Sequence, residues 1–305
     1  MSSAYLLVSH GSRDPRPQVA MNQLATLISQ RQSKGINLHG SLRDELVHAQ
    51  LPPLPASSKA GVEATACMQT AGDNSSSTTA QLAAMSTGEP LIGTACLELS
   101  PVPLHEQIKE FGAGAIASGY NRLQVVPLFL LPGVHVMEDI PTEVAIAQQA
   151  LAQELKIALR PHLGTHPGLS GLLATQMAAT KKADASILLA HGSRRPGYEH
   201  PVEAMAKQLG SGAADICAVG RTGVVVSAYW AVPPKLELRV KELVNAGHRQ
   251  IGILPYFLFA GGITDAIAQS VEELKLQFPN ALLHLAEPLG ASAELADLIC
   301  DLIEQ

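Results

Sequence analysis

VSHGSRDP at residues 8–15 and LAHGSRRP at residues 189–196 are nearly the same octapeptide, and both occur in one chain of 305 residues. Each copy overlaps a short apolar run, YLLVSH (5–10) or SILLAH (186–191), of the kind that forms a buried strand. A strand and its following loop that recur in this way predict the duplication of a larger unit.

The segments after each copy repeat as well. RLQVVPLFLLPGVH (122–135) matches QIGILPYFLFAGGI (250–263), and IALRPHLG (157–164) matches ALLHLAEPLG (281–290). Amphipathic stretches separate these apolar runs, and such alternation is typical of a parallel sheet covered by helices on both faces. We therefore expect two similar α/β domains, residues 1–183 and 184–305.

The spacing of the two copies locates an insertion in the first half. His10 and His191 lie 181 positions apart, whereas Pro127 and Pro255 lie 128 apart. The extra residues fall at 51–90, a segment rich in Ser, Thr, Ala, Gly and Pro. Such a composition cannot bury enough apolar surface to offset its ordering entropy, so we expect a disordered surface loop there.

Composition excludes several classes of protein. The net charge is −6 and no basic stripe is present, which argues against a nucleic-acid partner. No apolar run approaches the roughly 20 residues of a membrane helix, and the N-terminus lacks the features of a signal peptide. The 4 cysteines have no C-x-x-C spacing, which predicts neither an iron–sulfur cluster nor a structural zinc site and favours a reducing cytoplasm.

The loop after the first predicted strand reads His10-Gly11-Ser12-Arg13. Side chains at the carboxyl ends of parallel strands face the crevice in which α/β proteins bind ligands. Gly11 permits a tight turn, and Ser12 and Arg13 then stand near a helix N-terminus, which favours anions. The loop alone leaves two interpretations open: an anion site beside a histidine, or a histidine that only bonds the backbone.

Glu98 ends the second predicted strand of the first half, GTACLEL (93–99), and His135 follows the third, in PGVH (132–135). With His10 they place two imidazoles and one carboxylate at three neighbouring strand ends. Neutral imidazole binds iron, cobalt, nickel or zinc, a carboxylate adds charge, and the same groups take protons near neutral pH. The sequence thus predicts a transition-metal or proton-transfer site, with a chance grouping as the alternative.

The second half does not repeat this group. Trp230 aligns with Glu98 and Ile263 aligns with His135, so that His191 is the one member retained. Trp230 either supplies an apolar wall for a ligand or fills the space of the missing glutamate. The chemistry is therefore expected in the first half.

Three stretches carry a resemblance to a known family: LLVSHGSRDPR (6–16), LELSPVPL (97–104) and VVPLFLLPGVHVMEDIP (125–141). Through them the chain resembles the sirohydrochlorin chelatases, the cobalt- or iron-inserting enzymes of cobalamin and siroheme synthesis. The similarity extends over the chain outside 51–90, and the chain looks like the long form of the family, in which two domains are fused.

The resemblance implies two chelatase-like domains that face each other across a cleft holding the active site. It implies that His10 and His135 handle the metal and that Glu98 is an acidic helper. The substrate would be sirohydrochlorin, an anionic tetrapyrrole, and a divalent metal, Co²⁺ or Fe²⁺. The residues we expect to hold the substrate lie in three loops: Gly11, Ser12, Arg13, Gly133, Val134, Ser193 and Arg194.

The expected reaction is insertion of the metal into the macrocycle with release of two protons. No cofactor beyond the substrate metal is implied, because the C-terminus LADLICDLIEQ (295–305) contains Cys300 alone and no cluster motif. The alternative is a non-enzymatic carrier of a tetrapyrrole or a metal ion. Two halves that complete one cleft are compatible with a monomer and equally with a homodimer.

Overall fold

The computed structural model describes residues 3–33, 90–151, 154–180, 183–212 and 223–304. The insertion predicted at 51–90 lies outside the described residues apart from Pro90. Strands and helices alternate along the described chain. The strands are β1 (Ser3–Ser9), β2 (Ile92–Cys96), β3 (Arg122–Pro127), β4 (Lys156–Leu159), β5 (Ala185–Ala190), β6 (Val224–Tyr229), β7 (Gln250–Pro255) and β8 (Leu282–Leu285). The helices are α1 (Pro15–Ser33), α2 (Leu104–Ala117), α3 (Ile140–Leu151), α4 (Leu169–Ala179), α5 (Glu199–Gly210), α6 (Leu236–Asn245), α7 (Gly262–Gln277) and α8 (Ala293–Glu304).

The strands form two parallel sheets with the same topology. The first has the order β2-β1-β3-β4 and the second the order β6-β5-β7-β8. In both, the strand that precedes the HGSR loop is central and is flanked by the next two strands of its half. The predicted fold class, two similar α/β units with parallel sheets, is confirmed.

The third strand is shorter than its apolar run predicts. β3 ends at Pro127, whereas the run continues to Leu131. The run is apolar beyond the strand because Leu128 and Leu130 pack where the two halves meet. The Leu130 carbonyl also accepts a hydrogen bond from the Tyr256 hydroxyl at 3.3 Å. The last residues of the apolar run therefore pack between the two halves and do not extend the strand.

One face of each sheet is covered by helices of its own half. Buried residues of α2 and α3 pack on the first sheet, and buried residues of α6 and α7 pack on the second. Because side chains alternate across a parallel strand, the other face of each sheet needs a second apolar layer.

The halves exchange helices to build that second layer. α8, at the end of the chain, packs with α1 on Leu7 and Val126 of the first sheet. α4, which precedes the second half in sequence, packs with α5 on Leu188 and Leu254 of the second sheet. The division into residues 1–183 and 184–305 stays a prediction from the repeat, and each part buries one helix against the other's sheet.

Polar contacts reinforce the exchange. The Arg160 guanidinium donates to the Leu302 carbonyl at 2.8 and 2.9 Å, and Arg31 of α1 pairs with Asp297 of α8.

None of the helices in the described ranges combines the length and apolar character needed to span a membrane.

We expect Ile299→Ala, in α8, to destabilise the first sheet more than the second. Ile299 is fully buried in the shared core, and removing a buried isoleucine to alanine costs about 2–5 kcal/mol. Hydrogen exchange should show the larger loss of protection in β1 and α1. Ile267→Ala in α7, equally buried on the second sheet, is the matched control and should affect β5 to β8. Loss of protection in the second sheet on Ile299→Ala would contradict the helix exchange.

Candidate metal centre

His10 and Glu98 are held side by side by an extension of the β1–β2 ladder. Beyond the last strand residues, the Leu97 amide donates to the Ser9 carbonyl and the Glu98 amide to the His10 carbonyl, both at 2.9 Å. The two backbones then approach so closely that a Cβ on Gly11 would lie 2.0 Å from the Glu98 carbonyl oxygen. Gly11 also has a φ of +97°, a conformation that side chains disfavour. Glycine is thus required there on two grounds.

His135 reaches the site from a helix start rather than from a strand end. It begins a π-helical turn, His135–Asp139, that leads into α3, and it lies eight residues beyond Pro127 at the end of β3. The predicted strand ended at Leu131, four residues before His135, whereas β3 ends at Pro127, because the residues that follow it pack at the junction of the halves. The turn nevertheless brings the imidazole back to the same sheet edge.

Asp139 sets the orientation of the His135 ring. The Asp139 Oδ2 atom lies 2.7 Å from His135 Nδ1, so the ring donates its Nδ1 hydrogen to the carboxylate. The Nε2 lone pair then points at the shared site, an arrangement common behind metal-binding histidines. Asp139, the last residue of the π-helical turn, was not among the predicted site residues. Its four-residue spacing from His135 was the available signal for this contact.

The three predicted residues converge. Nε2 of His10 lies 3.7 Å from Oε2 of Glu98, and Nε2 of His135 lies 3.8 Å from Oε1 of the same carboxylate. The imidazole rings meet edge to face, with centroids 4.9 Å apart and an interplanar angle of 83°. One ligand atom from each residue falls within 4.8 Å of the others, close enough to hold one metal ion.

This group is open to solvent on one side and apolar on another. His10 and Glu98 are exposed and His135 is half-buried. The Phe129 ring lies 6.4 Å from the His10 ring and 6.2 Å from the His135 ring, between centroids. Across the described part of the chain, no other set of three histidine, cysteine or acidic side chains is grouped this closely.

The predicted substrate residues of the first half flank this group in the chain. The Ser12 hydroxyl accepts the Asp14 amide hydrogen at 3.0 Å, which shapes the loop, and Arg13 is exposed. Gly133 has open space where a Cβ would stand, and its carbonyl accepts from the Met137 amide at 3.0 Å. Val134, with helical φ and ψ, precedes the π turn.

The second HGSR loop reaches the first half through one ion pair. The Ser193 hydroxyl accepts the Arg195 amide hydrogen at 3.2 Å, and Arg194 is exposed. The Arg195 guanidinium lies 3.6 Å from a carboxylate oxygen of Glu138, within the π turn. Arg194 has no carboxylate within 4 Å among the described residues, so it is the free cation of this loop.

A matching contact runs from the start of α1, just after the first HGSR loop, to the second half. Arg16 donates to Asp14 and, through Nη1 at 3.0 Å, to Asp265 near the start of α7. Hydrogen bonding to Arg16 lowers the pKa of both carboxyl groups. Arg16 and Arg195, which follow the two HGSR loops, therefore each contact the helix start after the third strand of the other half.

The structure corrects the alignment of the second half. The Trp230 amide donates to the Ala190 carbonyl and the Ala231 amide to the His191 carbonyl. By this register Ala231, not Trp230, corresponds to Glu98, because the loop before α6 is one residue shorter than the loop before α2. Trp230 packs against the apolar cluster that α6 and α7 form with the second sheet.

One cleft lies away from this group. It measures about 800 Å³ and opens at the free edge of β8, between α4 and α7. Gln176 and His284 line it, and none of the predicted site residues does.

Comparison with known proteins agrees with the fold and the motifs. Residues 70–180 and residues 185–305 each match the CbiX family model. The chain belongs to the CbiX family. One match lies in each half, and the matches confirm the resemblance to the sirohydrochlorin chelatases.

Two curated relatives of this CbiX-family chain come from Priestia megaterium. A sirohydrochlorin ferrochelatase is 26% identical over 190 residues, which cover 60% of this chain and 67% of the relative. A sirohydrochlorin cobaltochelatase is 23% identical over 200 residues, which cover 62% of each chain. This chain thus spans slightly less than two thirds of the second relative.

Two solved structures share the fold. SirB from Bacillus subtilis with Fe³⁺ superposes with a TM-score of 0.66 at 19% identity, covering 100% of this chain and 95% of that one. The sirohydrochlorin chelatase SirB of B. subtilis subspecies spizizenii, in complex with cobalt, gives a TM-score of 0.61 at 18% identity, covering 100% and 94%.

We expect Gly11→Ala to weaken metal binding by displacing Glu98. The new Cβ would overlap the Glu98 carbonyl, so the two backbones must separate. Titration calorimetry with Co²⁺ measures the effect. Gly119→Ala is the control, because Gly119 has a φ of +83° but nothing within 4 Å of the added Cβ. Equal Co²⁺ affinities in the two variants would show that the Gly11–Glu98 contact does not shape the site.

Asp139→Ala should lower Co²⁺ affinity about 10- to 100-fold, the usual effect of removing the partner of a metal-binding histidine. Asp139→Asn should retain part of the affinity, since its amide oxygen still accepts the Nδ1 hydrogen. Glu138→Gln, one residue away and paired with Arg195, is the control and should bind Co²⁺ as the unaltered protein does. An unchanged affinity in Asp139→Ala would remove Asp139 from the site.

Proposed function

We propose that this protein is a sirohydrochlorin chelatase that inserts Co²⁺ or Fe²⁺ into sirohydrochlorin and releases two protons. The observation that carries the proposal is the convergence of His10, Glu98 and His135 at one sheet edge. Relatives named for iron and for cobalt insertion support the same reaction class.

The arrangement of the three side chains suits delivery of a metal to a macrocycle. Two neutral imidazoles and one carboxylate bind a divalent transition ion without enclosing it, because the site faces outward. The ion can therefore pass from protein ligands to ring nitrogens in steps. The contact between Asp139 and Nδ1 of His135 keeps the Nε2 lone pair available to the ion.

The same groups can accept the displaced protons. Each divalent ion that enters the ring replaces two pyrrole N–H hydrogens, so two bases are needed. Glu98 lies within 4 Å of both imidazoles and can take or pass on a proton as His10 and His135 release the metal. No covalent intermediate and no redox cofactor enter this scheme.

Cationic and polar groups at the cleft are proposed to hold the carboxylate arms of the substrate. Arg13 and Arg194 are exposed, and neither has a carboxylate within 4 Å in the part of the chain that the structure describes. Guanidinium groups recognise carboxylates in a bidentate fashion. The remaining proposed contacts are backbone N–H groups and hydroxyls of the same loops: Gly11, Ser12, Gly133, Val134 and Ser193.

We further propose that one chain forms the complete site. The Arg16–Asp265 and Arg195–Glu138 contacts join the two halves around it, which is compatible with a monomer.

Cys96 and Cys300 are unpaired and burial raises the pKa of both thiols, as suits structural cysteines of a cytoplasmic protein rather than cluster ligands.

The alternative remains a carrier that binds the tetrapyrrole or metal without catalysis. Absorbance of sirohydrochlorin mixed with protein and Co²⁺, Fe²⁺ or Ni²⁺ separates the two cases. An enzyme converts many equivalents of macrocycle, whereas a carrier changes the spectrum by one equivalent.

In that assay, His10→Ala and His135→Ala should each reduce turnover by about 100-fold or more while the fold is retained. His191→Ala should reduce turnover only a few-fold, since His191 belongs to no group of three possible metal ligands among the described residues. Circular dichroism checks the fold. If His191→Ala proves as damaging as His10→Ala, the chemistry does not belong to the first half.

A further inference from the structure

Leu99, directly after Glu98, has a backbone conformation that leucine avoids. Its φ is +59°, and among the described residues it is the one non-glycine residue with a positive φ. The left-handed region costs free energy for any residue with a Cβ, and glycine or asparagine usually occupies it. A leucine in this position therefore requires some compensating role.

Packing does not supply that role in the free protein. The Leu99 side chain is 56% exposed, so it gains little from burial in the core. The backbone reason for the conformation is local: Glu98 is pinned to His10 by a hydrogen bond and its carbonyl rests against Gly11, so the chain must turn away at once. Glycine would make that turn without strain.

The second half shows the same loop without this feature. Val232 corresponds to Leu99 by the strand register, has no left-handed φ, and is half-buried against Gly192. The exposed, strained leucine thus occurs in the half that carries the candidate metal centre, and the other half has no counterpart.

Two other exposed apolar side chains lie in the segments that follow the third strand of each half. Met137 is 64% exposed and lies two residues after His135 in the π turn. Ile263 is 40% exposed and occupies the position of His135 in the second half. Metal ligation needs none of these side chains, but a flat ligand with an apolar face would cover them.

Resting on the proposed function, we infer that Leu99, with Met137, binds the apolar face of the tetrapyrrole and holds the ring over His10, Glu98 and His135. The strain at Leu99 is offset when the macrocycle covers its side chain. Leu99 thereby contributes to affinity for the ring and not to affinity for the metal.

The test measures the two affinities separately. Leu99→Gly relieves the backbone strain and removes the side chain, and Leu99→Ala removes most of the side chain but keeps the strain. We expect both to raise the Kd for metal-free sirohydrochlorin, followed by absorbance, by about tenfold, as for loss of one covered leucine. The Kd for Co²⁺ alone should stay within about twofold of the unaltered protein, and the melting temperature of Leu99→Gly should not fall.

The control is Leu282→Ala, a leucine of similar exposure, 59%, on the edge strand β8. It should change neither Kd. An unchanged Kd for sirohydrochlorin in Leu99→Gly would overturn the inference while leaving the proposed function standing. A parallel change in the Kd for Co²⁺ would also overturn it, because Leu99 would then act by positioning Glu98. Failure of the unaltered protein to bind any macrocycle would overturn both.

Discussion

The candidate site depends on one close backbone approach, that of Gly11 to the carbonyl of Glu98. Two hydrogen bonds continue the β1–β2 ladder past the strand ends and bring the chains together. This contact orders the imidazole of His10 and the carboxylate of Glu98 without using either side chain. Both functional groups remain free for a ligand, and the strain of the following turn is confined to Leu99.

The duplicated fold joins two similar sheets through shared helices. Each half covers one side of its sheet alone and borrows a helix, α8 or α4, for the other side. The exchange fixes the two sheets relative to one another. The ion pairs Arg16–Asp265 and Arg195–Glu138 add polar contacts between the two halves. With the halves tied in this way, one copy can lose the metal residues and still supply the opposite wall.

Much of this architecture could be predicted from the sequence, because buried strands leave apolar runs and the HGSR loops mark their ends. The same pattern allowed three site residues to be predicted from the sequence: His10, Glu98 and His135. The exchange of α4 and α8 was not, since an apolar helix face shows that a helix packs but not on which sheet. The contact between Asp139 and His135 was not predicted, because a π-helical turn brings the two residues together. The residue that corresponds to Glu98 in the second half was misassigned, because the loop before α6 is one residue shorter than the loop before α2.

The central claim is that His10, Glu98 and His135 form one metal-binding group. X-ray absorption at the cobalt edge, on protein loaded with one equivalent of Co²⁺, tests it most directly. The account predicts scattering from two imidazoles and an oxygen ligand shell, with one imidazole lost when either histidine is replaced by alanine. A shell containing sulfur, or one whose imidazole count is the same after both replacements, would contradict it.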